Sequence, residues 1–83
     1  MKSKNILIVE NKEQERKLFE YLIGQLYSFS SFGSGQDALN YIAQQSAHLV
    51  LLSLQLPDLD PTHLLQNAKK MWGKSCLVVA VAS

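Results

Sequence analysis

Apolar runs alternate with amphipathic segments along this chain. Residues 6–9 form an uninterrupted, mostly β-branched run, which is typical of a strand buried on both faces. A similar strand is predicted over residues 48–56, and a last one over residues 76–82. Residues 27–32 alternate aromatic residues with serine, as a short edge strand does. The pattern therefore predicts four strands.

Helical periodicity fills the gaps between these strands. After residue 12, Leu18, Leu22 and Leu26 recur at four-residue spacing, with charged residues on the opposite side. Further helices are predicted over residues 36–45 and from Pro61 to a stop at Gly73.

Polar residues that can cap helices precede each of these segments. Ser34 is the predicted cap of the second helix and Asp60 that of the third. Asn11 is expected to cap the first helix, with Gln14 completing a capping box. A second role for Asn11, that of a remnant metal ligand, is compatible with this position.

The predicted order β-α-β-α-β-α-β implies an α/β fold with a parallel sheet and right-handed crossovers. Sites in such sheets form at the carboxyl ends of the strands, beside the switch in strand order. Glu10, Asn11, Ser53 and Ala82 are expected to converge there.

Composition narrows the possible classes of protein. The 83 residues predict a single domain over residues 1–83, and 47% hydrophobic against 18% charged residues is a globular balance. A net charge of +1 without a basic stripe argues against direct binding of nucleic acid. The single cysteine, Cys76, fits a reducing, cytoplasmic setting, and the apolar runs are too short for a membrane span.

Three motifs together resemble the receiver (CheY-like) domain of bacterial response regulators. Residues 6–11 are similar to its first strand and acidic pair, residues 32–39 to the turn into its second helix, and residues 49–60 to its phosphoacceptor strand and following loop. That loop ends in an acidic-proline pair where the family more often has acidic-glycine. The resemblance implies a three-layer, doubly wound sheet of the flavodoxin type with strand order 2-1-3-4, lacking the family's last strand and helices.

The resemblance also implies where the family's chemistry would lie. Receivers bind Mg²⁺ with two acidic residues after the first strand and a phosphoacceptor aspartate that ends the third. Those positions hold Glu10, Asn11 and Ser53 here, so one carboxylate of three remains, and Glu10 is expected to point to solvent. Mg²⁺ gives up its waters reluctantly, so its binding is expected to be weak or absent. A serine hydroxyl also needs a base before it can attack, so phosphorylation of Ser53 by the usual route is not expected.

The last predicted strand departs from the family as well. The position at which the family has a switch hydroxyl holds Ala82 here. A shift of one residue would bring Ser83 to this position, but it would turn the other side chains of the strand onto opposite faces. Without the family's fifth strand, residues 76–82 form an uncharged sheet edge that is a template for another chain. A homodimer or another association through this edge is expected.

Several hypotheses for the function follow. The first is a pseudo-receiver: a non-catalytic protein-interaction module of a two-component phosphorelay, whose partner is a histidine kinase, a response regulator or a second copy. One alternative is an N-terminal receiver fragment of a response regulator or transcription regulator. Another is a phosphoacceptor domain with altered site chemistry, or one in which Asp58 or Asp60 replaces Ser53. Ser53 itself is either a small residue tolerated after loss of catalysis or a neutral mimic of the unphosphorylated state. Leu65, Met71 and Trp72 are either core residues of the third helix or an exposed anchor for a partner.

Overall fold

The computed structural model describes residues 5–72 in full and the backbone of residues 77–81. The elements, in chain order, are β1 (Asn5–Val9), α1 (Glu13–Gly24), β2 (Ser28–Phe32), α2 (Gly35–Gln44), β3 (Leu49–Ser53), α3 (Pro61–Trp72) and β4 (Leu77–Val81). The predicted alternation of strands and helices is confirmed.

All the described strands belong to one parallel sheet with the order β2-β1-β3-β4. The crossover from β1 out to β2 and back across to β3 places the switch in strand order at the centre of the sheet. Val9 lies opposite Phe32 on one side and opposite Leu52 on the other. The predicted order 2-1-3-4 is therefore confirmed, with β2 at an edge.

β1 is buried on both faces, as its unbroken apolar run predicted. Leu7 and Val9 are 0% exposed and belong to the core cluster on the side of α2 and α3. Ile6 and Ile8 alternate onto the opposite face, where α1 packs against β1. Helices therefore cover both faces of the sheet, which confirms the three-layer architecture.

The two helical layers differ in how much apolar surface they bury. Ala38, Ile42, Leu64 and Ala68, from α2 and α3, are at most 3% exposed. By contrast, no residue of α1 is fully buried, and its residues Leu18 and Leu22 are each about half exposed. The leucine spacing predicted the helix correctly. Its leucine stripe, however, is only partly covered by the described part of the chain.

The predicted cap of α1 is wrong. α1 begins after Lys12, which has extended backbone and no side-chain capping bond, and Asn11 is exposed. The Lys12 amide instead donates to the Glu10 carboxylate over 3.0 Å. The capping box of Asn11 and Gln14 does not form because Lys12, and not Asn11, occupies the cap position of α1.

The other two predicted caps are confirmed. The Ser34 hydroxyl accepts a hydrogen bond from the Asp37 amide at the start of α2. The Asp60 carboxylate accepts one from the Thr62 amide, and Pro61 is the first residue of α3. The predicted stop at Gly73 lies outside the described residues, as do Cys76 and Ala82.

The C-terminal part of α3 combines the two roles left open for it. Trp72 is half-buried, and its indole N–H donates to the Gln45 carbonyl over 2.9 Å. Leu65 packs against the core, whereas Met71 is 54% exposed. Trp72 and Leu65 therefore pack against the core, and Met71 stays exposed. Within the described residues, no helix has the length and apolar character needed to cross a membrane.

Candidate functional site

Two polar residues meet at the carboxyl edge of the sheet, in the position that the topology predicted. Glu10 immediately follows β1 and Ser53 ends β3; because Val9 pairs with Leu52, these two residues end neighbouring strands. Each is 1% exposed, and among the residues whose burial is described they are the buried polar ones. The site is therefore built on the two central strands, β1 and β3.

The expectation that Glu10 points to solvent is wrong. Its carboxylate accepts the hydrogen bond from the Lys12 amide, while its own amide donates to the Phe32 carbonyl over 3.1 Å. Its carbonyl accepts a hydrogen bond from the Arg16 guanidinium, also over 3.1 Å. These bonds replace water around a buried acidic residue, which would otherwise be costly to bury. The ladder to β2 continues past Val9, and this continuation holds Glu10 inside.

Arg16 extends this polar arrangement along α1. Its Nε lies 3.7 Å from the Glu20 carboxylate, which in turn accepts a hydrogen bond from the Ser31 hydroxyl over 2.6 Å. The chain Glu10, Arg16, Glu20 and Ser31 ties α1 to β1 and β2. Because Arg16 donates to the backbone carbonyl of Glu10, it fixes the position of this residue rather than pairing with its carboxylate.

Ser53 has a structural bond of its own. Its hydroxyl oxygen accepts a hydrogen bond from the Gln55 amide over 3.1 Å, which starts the turn that leaves β3. Removal of a proton from this hydroxyl would require a base. His48 precedes β3 and accepts a bond from the Asn5 amide at the opposite edge of the sheet, so it does not serve that purpose.

The four predicted site residues thus have different outcomes. The fold brings Glu10 and Ser53 together, Asn11 lies exposed beside them, and Ala82 is outside the described residues. In the part of the chain that the structure describes, no three His, Cys, Asp or Glu side chains are grouped so that they could hold a metal ion.

The pattern gave no sign of a further role for Asp58. Its carboxylate oxygens accept hydrogen bonds from the Gly35 amide, over 2.9 Å, and from the Gln36 amide, over 3.0 Å. These two bonds, that to Gly35 above all, hold the pKa of Asp58 below its usual value. Asp58 thus satisfies the first amides of α2, a helix 22 residues or more away in sequence.

The two loop carboxylates that were alternative phosphoacceptors both bind helix amides. Asp58 binds the start of α2, and Asp60 the start of α3. The hydrogen bond accepted by Asp60 was predicted from its position before Pro61. Those accepted by Asp58 depend on how the loop folds onto α2.

Response regulators are among the known proteins to which this chain is similar. No family model matches the chain. Over 70 residues it is 30% identical to the regulatory protein VanRc of Enterococcus gallinarum, a match that covers 84% of this chain. A CheY-like receiver domain from Methylobacillus flagellatus superimposes with a TM-score of 0.83 at 28% identity over 95% of this chain.

The chain is a receiver-like domain. The BeF3-activated receiver domain of DrrB, from Thermotoga maritima, has the same fold, with a TM-score of 0.86 and 23% identity over 99% of this chain. The receiver-like domain spans 30% of the length of VanRc, 36% of a longer DrrB structure and 67% of the DrrB receiver domain. It covers 69% of the Methylobacillus domain.

Proposed function

We propose that residues 1–83 form a pseudo-receiver, a signalling module that recognises a protein partner in a two-component system without catalysis or a phosphorylation cycle of its own. Its partner is a histidine kinase, another response regulator or a second copy of the chain. A cytoplasmic location belongs to the same proposal. The likeness to response regulators supports the signalling role, and the residues at the carboxyl edge of the sheet support the absence of a phosphorylation reaction.

The observation that carries this proposal is Ser53 at the end of β3. The resemblance assigns the phosphoacceptor to this position, and an aspartate there would be an ionised nucleophile at neutral pH. The serine hydroxyl is buried and accepts a hydrogen bond from the Gln55 amide. It therefore serves the turn after β3 and lacks the charge that a phosphoacceptor needs.

The environment of Glu10 also favours loss of the metal. A divalent ion would need several oxygen ligands, but the carboxylate of Glu10 is already bonded to the Lys12 amide and Asn11 is neutral. A single carboxylate beside two neutral side chains is a weak set of ligands for Mg²⁺. We therefore assign no bound cofactor to the pseudo-receiver and expect Ala82 to provide no switch hydroxyl.

Intact-mass spectrometry after incubation with acetyl phosphate and Mg²⁺ tests the proposal. We expect the wild-type chain to keep its mass, whereas an intact receiver treated in parallel gains about 80 Da, the mass of one phosphoryl group. An adduct on the wild-type chain that maps to Ser53 would overturn the pseudo-receiver.

A restored variant supplies the matched comparison. Replacement of Asn11 and Ser53 by aspartate returns two carboxylates to the edge, so Asn11→Asp/Ser53→Asp is expected to bind Mg²⁺ more tightly than the wild type in a calorimetric titration. Equal affinities in the two proteins would mean that the missing carboxylates do not explain the weak binding.

A second candidate function is that of the N-terminal receiver portion of a longer response regulator. The observation that favours it is the coverage, because the matched region is 30% of VanRc and the full alignment is 67% of the DrrB receiver domain. In that arrangement, residues beyond Ser83 would complete the sheet and carry any output. Sequencing of the transcript through codon 83 distinguishes the two candidates directly.

A further inference from the structure

Side-chain hydrogen bonds hold the loop between β3 and α3 at three points. At its start, the Gln55 amide donates to the Ser53 hydroxyl. In its middle, the Asp58 carboxylate binds the Gly35 and Gln36 amides. At its end, Asp60 caps α3. The first and last points are local bonds, whereas the middle one joins the loop to a different helix.

The middle attachment is also a close steric fit. A Cβ atom built on Gly35 would lie 2.6 Å from the Cβ of Leu59, so only glycine lets the loop approach the helix this closely. Leu59 packs against the core cluster, which places one apolar contact beside the two charged hydrogen bonds. The loop is thus seated on α2 by a short-range fit and by one carboxylate.

Asp58 and Ser34 bind different amides at the start of α2. The Ser34 hydroxyl, next to the helix in sequence, accepts a hydrogen bond from the Asp37 amide, whereas Asp58 reaches the Gly35 and Gln36 amides from the loop after β3. Asp58 is an exposed residue; its bond to the Gln36 amide is exposed and its bond to the Gly35 amide is part-buried. Exposed hydrogen bonds open more readily than those inside the sheet. A surface attachment of this kind can open while the buried core of β1 and β3 stays closed.

We propose that Asp58 is a latch whose carboxylate holds residues 54–60 against α2. When its hydrogen bonds open, this loop opens as a unit, and the hydrogen bond from the Gln55 amide to the Ser53 hydroxyl breaks. The latch thereby controls the surroundings of the buried Ser53 hydroxyl from a position on the surface. This inference does not depend on whether Ser53 accepts a phosphoryl group.

Hydrogen exchange of single amides, measured by NMR at neutral pH, tests the latch. The variant Asp58→Asn keeps the shape of the side chain but removes its charge and one of its two acceptor oxygens. We expect the Gly35, Gln36 and Gln55 amides to exchange about tenfold faster or more, since bonds to a charged acceptor are the stronger kind. Amides of β1 and β3 are expected to keep their wild-type rates.

The Asp37 amide is the internal control for simple capping. It lies in the same turn but is bonded to Ser34, so it should stay protected in Asp58→Asn. Faster exchange of Gly35, Gln36 and Asp37 with an unchanged Gln55 would make Asp58 an ordinary helix cap and overturn the latch. Equal acceleration of all amides, the sheet included, would also overturn it, because it would show loss of global stability.

Two further variants separate charge from geometry. Asp37→Asn removes an equal charge from the same end of α2 without touching the loop, and it should leave the Gln55 rate unchanged. Gly35→Ala adds a Cβ that would lie 2.6 Å from the Leu59 Cβ and 3.3 Å from the Asp58 carboxylate. It therefore disturbs the fit of the loop on α2 while leaving the charge of Asp58 in place, and it should accelerate Gln55 as Asp58→Asn does. If Gly35→Ala leaves Gln55 protected, the loop is not held by its seat on α2 and the latch is refuted.

Discussion

Single residues at and near the carboxyl edge of the sheet have roles that their residue types alone do not indicate. Glu10 is an acidic residue buried among backbone partners, and Ser53 is a buried hydroxyl that starts a turn. Asp58, in a loop, makes the long-range contact that fixes the start of α2. Their roles follow from which amides lie nearby, and those amides come from other elements of the chain.

The pH dependence of stability is one consequence at this scale. The pKa of Asp58 is lowered by the Gly35 and Gln36 amides from an ordinary value of 3.8, so its folded pKa is below its unfolded one. The stabilisation is therefore fully present above the unfolded pKa and is lost as the pH falls through the folded pKa. Urea unfolding of wild type and Asp58→Asn should show a gap at pH 7 that narrows below about pH 4.

The variant Asp37→Asn is the control for this experiment as well. It changes the net charge by the same amount, so any effect of charge alone appears in both variants. A gap between wild type and Asp58→Asn that is constant from pH 7 to about pH 3 would contradict the assigned origin of the stabilisation.

At the scale of the element, the three helices begin in three different ways. α2 and α3 begin at side-chain caps that were predicted from the sequence, Ser34 and Asp60. α1 begins after Lys12, whose amide is bonded to Glu10, the residue that follows β1. Local patterns located all three helices, but they identified the partner of the first amide in only two of them.

Cap substitutions test this difference. Ser34→Ala removes the acceptor for the Asp37 amide and should cost about 1 kcal/mol in the free energy of unfolding. Asn11→Ala removes an exposed side chain with no capping role and should stay within about 0.5 kcal/mol of wild type. Urea denaturation measures both, and a larger loss for Asn11→Ala would restore the cap that the sequence predicted.

Leucines on α1 and α3 offer a second test of the elements. Leu64 is 3% exposed whereas Leu22 is 52% exposed, although both lie on the apolar stripe of their helices. Leu64→Ala should cost about 2–5 kcal/mol because it opens a cavity, and Leu22→Ala about 1 kcal/mol or less. Equal losses, measured by urea unfolding, would mean that the α1 stripe is covered in solution.

Two features of the whole molecule favour association with another chain. One is the apolar stripe of α1, where Leu18, Tyr21 and Leu22 are each more than half exposed, as is Leu26 after the helix. The other is the backbone of β4, the outermost strand of the described sheet next to β3, with the uncharged sequence LVVAV. An unpaired strand without charge or proline is a template for further pairing.

We therefore predict that the 83-residue chain forms a dimer through β4, because strand pairing satisfies backbone groups that an edge leaves open. Equilibrium sedimentation at micromolar concentration should show twice the monomer mass. The control Leu18→Ser/Leu22→Ser removes the apolar character of α1 and should leave the dimer intact. A wild-type monomer contradicts the prediction, and a control that becomes monomeric assigns the interface to α1 instead.

The sequence by itself determined the order of the elements and their parallel topology. Period-2 and period-3.6 patterns are local, so β1 as a central strand, the start of α3 at Pro61 and the meeting of Glu10 with Ser53 could all be predicted. Turn and cap residues act within a few positions of themselves, which is why Ser34 and Asp60 were also identified.

Only the tertiary structure decided the burial and partners of the site. Whether Glu10 is covered depends on β2 pairing beyond Val9, and the role of Asp58 depends on a loop that folds onto the glycine of a helix distant in sequence. The exposure of the α1 leucines depends equally on what packs over that face. Such contacts join segments distant along the chain, and a local pattern carries no record of them.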